Sequence, residues 1–170
     1  MTVLLLNAVP MECRPIGTTK RTFPASTFYE LYYFGLNNVD NAFQNATFSR
    51  ATLPKNWTTV RQGCFADCAN LTHVSLPDIM GIGASAFARS TKLISLRINS
   101  ATPPTVGNSA FYNCGIYLHI AAPSRYPTPG YIYVPDSAVE TYKSTGSTSS
   151  SDSWAYYRNF IKPLSEYPDG

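Results

Sequence analysis

The chain has 170 residues, a length that suits one domain, and a net charge of +3 with only 14% charged residues. Soluble domains usually carry about 25% charge. So weak a charge, with no Lys/Arg run, excludes a nucleic-acid footprint. No stretch approaches the roughly 18 apolar residues of a membrane-spanning helix.

Residues 1–20 read as an N-terminal arm. Thr2 to Leu6 is rich in strand formers, and Pro10 and Pro15 interrupt any longer element. The apolar start is too short and lacks the basic flank of a signal peptide. The expectation is therefore a chain that starts in a cytoplasm. The arm either caps the first coil or reaches a neighbour.

Residues 21–122 repeat. The marks are Phe23, Phe43, Phe65, Phe87 and Phe111, spaced by 20, 22, 22 and 24 residues. The middle copies are the fullest: Leu71, Val74 and Leu76 follow Phe65 as Leu93, Leu96 and Ile98 follow Phe87. The L-x-x-L-x-L spacing and the period fall in the leucine-rich range of roughly 20–29 residues. This predicts about five stacked coils, each placing one strand in a parallel sheet. The phenylalanines should stack inside, and each Phe segment should make one tight helical or 3₁₀ turn. The outer strands are Phe28–Tyr33 in the first coil and Ile116, Leu118 and Ile120 in the last.

Alternation along the strands assigns an outward face. Its two columns are Glu30, Arg50, His73, Ser95 and Tyr117, and Tyr32, Thr52, Ser75, Arg97 and His119. An open sheet face is the usual binding face of a solenoid. The plain alternative is a solvated sheet. His73 and His119 fall in different columns, so no shared metal site is expected. Cys68 and Cys114 stand three residues after a repeat Phe, where Ser90 stands in the coil between them. A position that accepts Cys or Ser is a small buried slot, not a disulfide framework. No metal and no cofactor is expected. The sequons at Asn45, Asn56 and Asn70 carry little weight without a secretory leader.

Residues 123–170 change character and read as a C-terminal cap. Tyr131–Val134 alternates as a strand. Pro135-Asp136 opens a helix that carries Val139 and Tyr142, with Asp136 or Ser137 as its cap. Ser144 to Ser153 is Gly/Ser/Thr-rich and reads as a mobile loop. Trp154, Tyr157, Phe160 and Ile161 fit one helical face, and Pro163 ends it.

The run Cys64-Phe-Ala-Asp-Cys-Ala-Asn-Leu-Thr-His-Val-Ser-Leu-Pro77, with Ile82-Gly-Ala-Ser-Ala-Phe87, resembles the BspA-like leucine-rich repeats. Ala101-Thr-Pro-Pro104, Ile132 to Asp136, Val139 to Lys143, Trp154-x-x-Tyr157 and Ile161 to Leu164 resemble the terminal segment of such proteins. The resemblance covers roughly residues 40–165. It implies an α/β leucine-rich-repeat solenoid with a parallel sheet and a small α+β C-terminal cap. It also implies a non-enzymatic role in binding or structure. Members are bacterial surface adhesins and protozoan surface proteins, and similar repeats occur on phage virion proteins.

A compact chain without a leader fits a virion component: a tail, fibre or capsid-surface protein made in the host cytoplasm. Its partners would be other virion proteins and a host-surface glycan or protein, with a homo-oligomer or larger assembly expected. The alternatives are a bacterial cell-surface adhesin and an intracellular scaffold. An enzyme is disfavoured, since no G-x-S-x-G elbow, P-loop or paired-carboxylate arrangement stands out.

Overall fold

The computed structural model describes residues 40–53 and 55–168. The N-terminal arm and the first repeat, including Phe23, Glu30 and Tyr32, lie outside the described residues. The elements run β1 (Arg50–Thr52), β2 (Thr59–Val60), β3 (His73–Leu76), β4 (Gly81–Ile82), β5 (Ser95–Ile98), β6 (Thr105–Val106), α1 (Gly115–Ala121), β7 (Tyr131–Val134), α2 (Val139–Ser144) and β8 (Ile161–Pro163). Strands β1, β3, β5, β7 and β8 form one five-stranded sheet in that order, and β2, β4 and β6 form a three-stranded one. Every pairing is parallel.

The leucine-rich strands pair as their spacing predicts. Val74 sits opposite Leu96, and Leu76 opposite Ile98. All four point inward and are buried. Behind them the phenylalanines form a column. Phe43 and Phe65 lie 5.4 Å apart, Phe65 and Phe87 5.4 Å, and Phe87 and Phe111 5.6 Å, all stacked. Trp154 and Tyr157 close the column against Phe111, at 6.2 and 5.0 Å.

A third ladder joins the coils at the Phe turns. Phe43 N–H donates to Cys64 O, Phe65 N–H to Ala86 O and Phe87 N–H to Ala110 O. The residues two before and two after each Phe also donate to the next coil. Alternate turn residues take the left-handed conformation: Asn41, Gly63, Ser85 and Ser109 on one side of the Phe, and Asn45, Asp67, Arg89 and Asn113 on the other. These reversals interrupt any helix, so each Phe segment is a chain of turns whose N–H groups point at the neighbouring coil. Gly83 is required for a different reason. A Cβ there would sit 2.5 Å from Gln62 N, inside the preceding coil's backbone.

Three expectations need correction. Ile116, Leu118 and Ile120 do not form a strand, since Gly115–Ala121 is the helix α1. The sheet slot beside β5 is filled by β7, with Ser95 opposite Tyr131 and Arg97 opposite Tyr133. The Tyr-Ile-Tyr-Val segment is aromatic and β-branched, and so fits a pleated slot better than Gly-Ile-Tyr-Leu. Gly115 instead docks against the backbone of Thr91 and Leu93, where a Cβ would meet carbonyl oxygens at 2.8 and 2.6 Å. At the C-terminus, Trp154–Phe160 is a 3₁₀ helix, and Ile161–Pro163 leaves it as the edge strand β8. Pro163 is accommodated because an edge strand leaves one side of its ladder unpaired.

The Pro135 region starts as a 3₁₀ turn, Asp136–Ala138, and continues into α2. Asp136 does not cap it. Its carboxylate accepts the Ser165 N–H at 3.0 Å. The Ser-rich loop is pinned at several points: Ser151 Oγ donates to Asn108 Oδ1, Tyr157 OH to Ser151 O and Ala155 N–H to Thr145 O.

Candidate binding face of the parallel sheet

With Val74, Leu76, Leu96 and Ile98 inward, the alternate residues of the same strands point out. Two rows cross the sheet. One runs Arg50, His73, Ser95, Tyr131, and the other Thr52, Ser75, Arg97, Tyr133, Lys162. Arg50, Thr52, His73, Ser75 and Arg97 therefore stand where alternation puts them. Ser95 is in its row but is buried, 3% exposed, between larger neighbours. Tyr117 and His119 are not on the sheet, because both belong to α1. Tyr117 packs instead against the core, its ring 6.2 Å from Phe160.

The residues missed from sequence are Tyr131, Tyr133, Lys162 and Tyr167. Tyr131 and Tyr133 alternate with Ile132 and Val134, so the outward signal is present in the sequence, although Tyr133 is buried among its neighbours, 6% exposed. The repeat period ends the sheet one strand too early and so hands these tyrosines to the cap. The four residues and Arg97 make a compact aromatic and cationic group. Lys162 Nζ lies 4.2 Å from the Tyr131 ring centroid, and the Arg97 guanidinium 5.5 Å from that of Tyr167. Tyr133 meets Tyr131 and Tyr167 edge-on, at 6.2 and 5.0 Å. Glu166 pairs with Lys162 at 2.9 Å, and this hydrogen bond raises the lysine's pKa.

The hydrogen bonds of the first row fix its chemistry. Thr72 Oγ1 donates its one proton to Ser49 O at 2.8 Å. In its 2.8 Å contact with His73 Nδ1 it is therefore the acceptor. Nδ1 carries the proton, and in the neutral ring Nε2 is left as an acceptor. Desolvation, helped by the Arg50 charge, lowers the His73 pKa and favours that neutral ring. Ser95 Oγ is buried and has no hydrogen-bond partner among the described residues. Arg97 Nε donates to Asn99 Oδ1 at 3.0 Å, which leaves its terminal nitrogens without a hydrogen-bond partner among the described residues.

Among the described residues, the hydroxyl beside His73, Thr72 Oγ1, accepts from the imidazole and so is not activated by it as a base. Among the described residues, no group of three or more His, Cys, Asp or Glu is placed to hold a metal. Cys64, Cys68 and Cys114 are free thiols buried in the core. Among the described residues, no helix is long and apolar enough to cross a membrane.

Six copies of the BspA-type leucine-rich repeat region match residues 38–159. The chain belongs to this family. No curated protein matches it. The matched span continues past α1 through β7 and into the C-terminal 3₁₀ helix, in keeping with a sheet that runs unbroken from β5 to β7. Membership of this family points to protein–protein or surface contact.

Proposed function

We propose that this BspA-type protein is a non-enzymatic component of a phage virion, in a tail, a fibre or the capsid surface. It works by contact with other virion proteins or with the host surface, as one subunit of a larger assembly. The observation that carries the reading is the outward sheet face. Tyrosines and cations are displayed there on a frame whose interior is filled by stacked rings and leucine-type side chains. Tyrosine gives large contact area at low entropy cost, which suits broad, weakly polar interfaces. The virion setting follows the sequence resemblance to repeats that occur on phage virion proteins.

A bacterial surface adhesin is the second reading, and the family itself favours it equally. Fractionation separates the two. Virions banded on a density gradient and probed with an antibody to the chain should carry it in fixed stoichiometry. Recovery only from a bacterial envelope fraction would decide for the adhesin.

A further inference from the structure

The orphan hydroxyl of Ser95 is the most informative atom on the outward face. A buried hydroxyl without a partner is costly, and native structures seldom keep one without cause. It lies between His73 and Tyr131 in one row, with Arg97 two residues along its own strand. We infer that His73, Ser95, Tyr131 and Arg97 form a subsite for a carboxylated saccharide, an inference that rests on the surface-contact function proposed above.

The donors and acceptors select that class. Arg97 offers terminal N–H groups to a carboxylate. His73 Nε2 is an acceptor and needs an O–H or N–H donor, which a sugar hydroxyl supplies and an acidic side chain does not. Ser95 Oγ can serve as either. The Tyr131 ring offers a surface to the C–H face of a pyranose, beside Lys162, whose ammonium lies 4.2 Å from the ring centroid and is paired with Glu166. An acidic sugar brings carboxylate, hydroxyls and an apolar face in one residue. A neutral sugar leaves Arg97 unused, and an acidic side chain by itself leaves His73 without a donor. Ser95 is reached only if a row neighbour turns aside, and we assign that movement to half-buried Tyr131, which stands opposite it in register.

The test uses the full chain, isothermal titration calorimetry and three probes: tetragalacturonic acid, 3′-sialyllactose and lactose. At least one acidic probe should bind saturably, and lactose should not bind at the same concentrations. Ser95→Ala should weaken binding about tenfold, the size of one hydrogen bond, while the free protein melts no lower than wild type. Arg97→Gln should weaken it at least as much with unchanged circular dichroism. Failure of both acidic probes at millimolar concentration would overturn the inference. So would lactose binding as well as they do, or Ser95→Ala and Arg97→Gln both binding like wild type. These outcomes are independent of the virion fractionation. A chain found in virions that binds no acidic probe loses this inference alone, and a probe-binding chain absent from virions loses only the virion setting.

Discussion

The rings of Phe65 and Phe87 lie 5.4 Å apart with their planes 3° from parallel. The coil rise brings the two rings to this spacing, and parallel planes at such a centroid distance fall within the range that aromatic pairs favour. Backbone bonds from Phe65 N–H to Ala86 O at 2.7 Å and from Asp67 N–H to Ala88 O at 2.8 Å fix one coil upon the next. The rings then take the one position their Cα atoms allow, and burial supplies the stabilisation.

Phe87→Ala should therefore be severe. The side chain is wholly buried, with Phe65 on one side and Phe111 on the other. A loss of about 3–5 kcal/mol is expected in urea denaturation, since the flanking coils are held by backbone bonds and cannot collapse into the gap. Tyr112→Ala, at a side chain that is 55% exposed in the same turn region, should change stability by less than about 0.5 kcal/mol. Similar losses at the two sites would break the stacked-core account.

The slot three residues after each Phe explains why Cys and Ser alternate there. Ser90 Oγ donates to Phe65 O at 2.6 Å and accepts the Cys68 N–H at 3.1 Å. One coil earlier, Cys68 Sγ donates to Phe43 O at 3.1 Å. The slot requires a small donor aimed at the preceding Phe carbonyl. Ser90→Ala leaves that carbonyl and the Cys68 N–H unsatisfied, and should cost about 1–3 kcal/mol in a chemical melt. Ser90→Cys should cost clearly less, because a thiol can point at the same oxygen. The opposite ranking would show the slot to be selected by volume alone.

Gly63 stands in the column of left-handed residues two before each Phe, at φ 59°. Asn41, Ser85 and Ser109 hold that conformation elsewhere in the column. A Cβ on Gly63 would lie 2.0 Å from Asn41 Oδ1, so the neighbour as well as the dihedral opposes a side chain. Gly63→Ala should destabilise by about 1–2 kcal/mol, the cost of placing an L-residue in this region. Ser85→Gly, which relieves the dihedral, should be near neutral, because the unfolded chain gains entropy in return. Thermal melts of the two variants check the asymmetry.

Much of this is legible in the sequence because the core residues repeat. Phe65, Phe87, Val74 and Leu96 recur at one period and meet their counterparts in register. The reading fails where the period breaks. Between Phe111 and Tyr131 the chain inserts α1, so the next sheet strand arrives later than the period predicts. The outward columns therefore continue through Tyr131 and Tyr133, not through Tyr117 and His119. The left-handed columns leave a readable trace, in Asn, Gly, Ser and Asp at fixed offsets from each Phe. Arg89 in the same column departs from those residue types. Its guanidinium is held by a bidentate pair with Asp67 of the preceding coil, at 2.6 and 2.7 Å. The orphan Ser95 is not readable from sequence, because burial of an outward residue depends on how large its row neighbours are.

The buried thiols predict an alkaline limit to stability. Burial pushes Cys68 up from 9.0 to about 12 and Cys114 to about 11, and raises Cys64 as well. Tyr142 and Tyr157 are raised by the same cause. For each group the folded state holds its proton at a pH where the unfolded chain has released it. Their contribution is thus fully present below about pH 9 and is lost as pH rises toward the folded values. The melting temperature should be level between pH 7 and about pH 8.5 as far as these groups decide it, and should fall progressively above that. At pH 8 the three thiols should react with a thiol reagent only after unfolding, since the thiolate is the reactive form and is scarcely populated in the fold. A reducing agent should leave the melt unchanged, because all three are free. Rapid modification of Cys68 or Cys114 in the native protein, followed in single-cysteine variants, would show that the coils open far more readily than their ladders of backbone bonds imply.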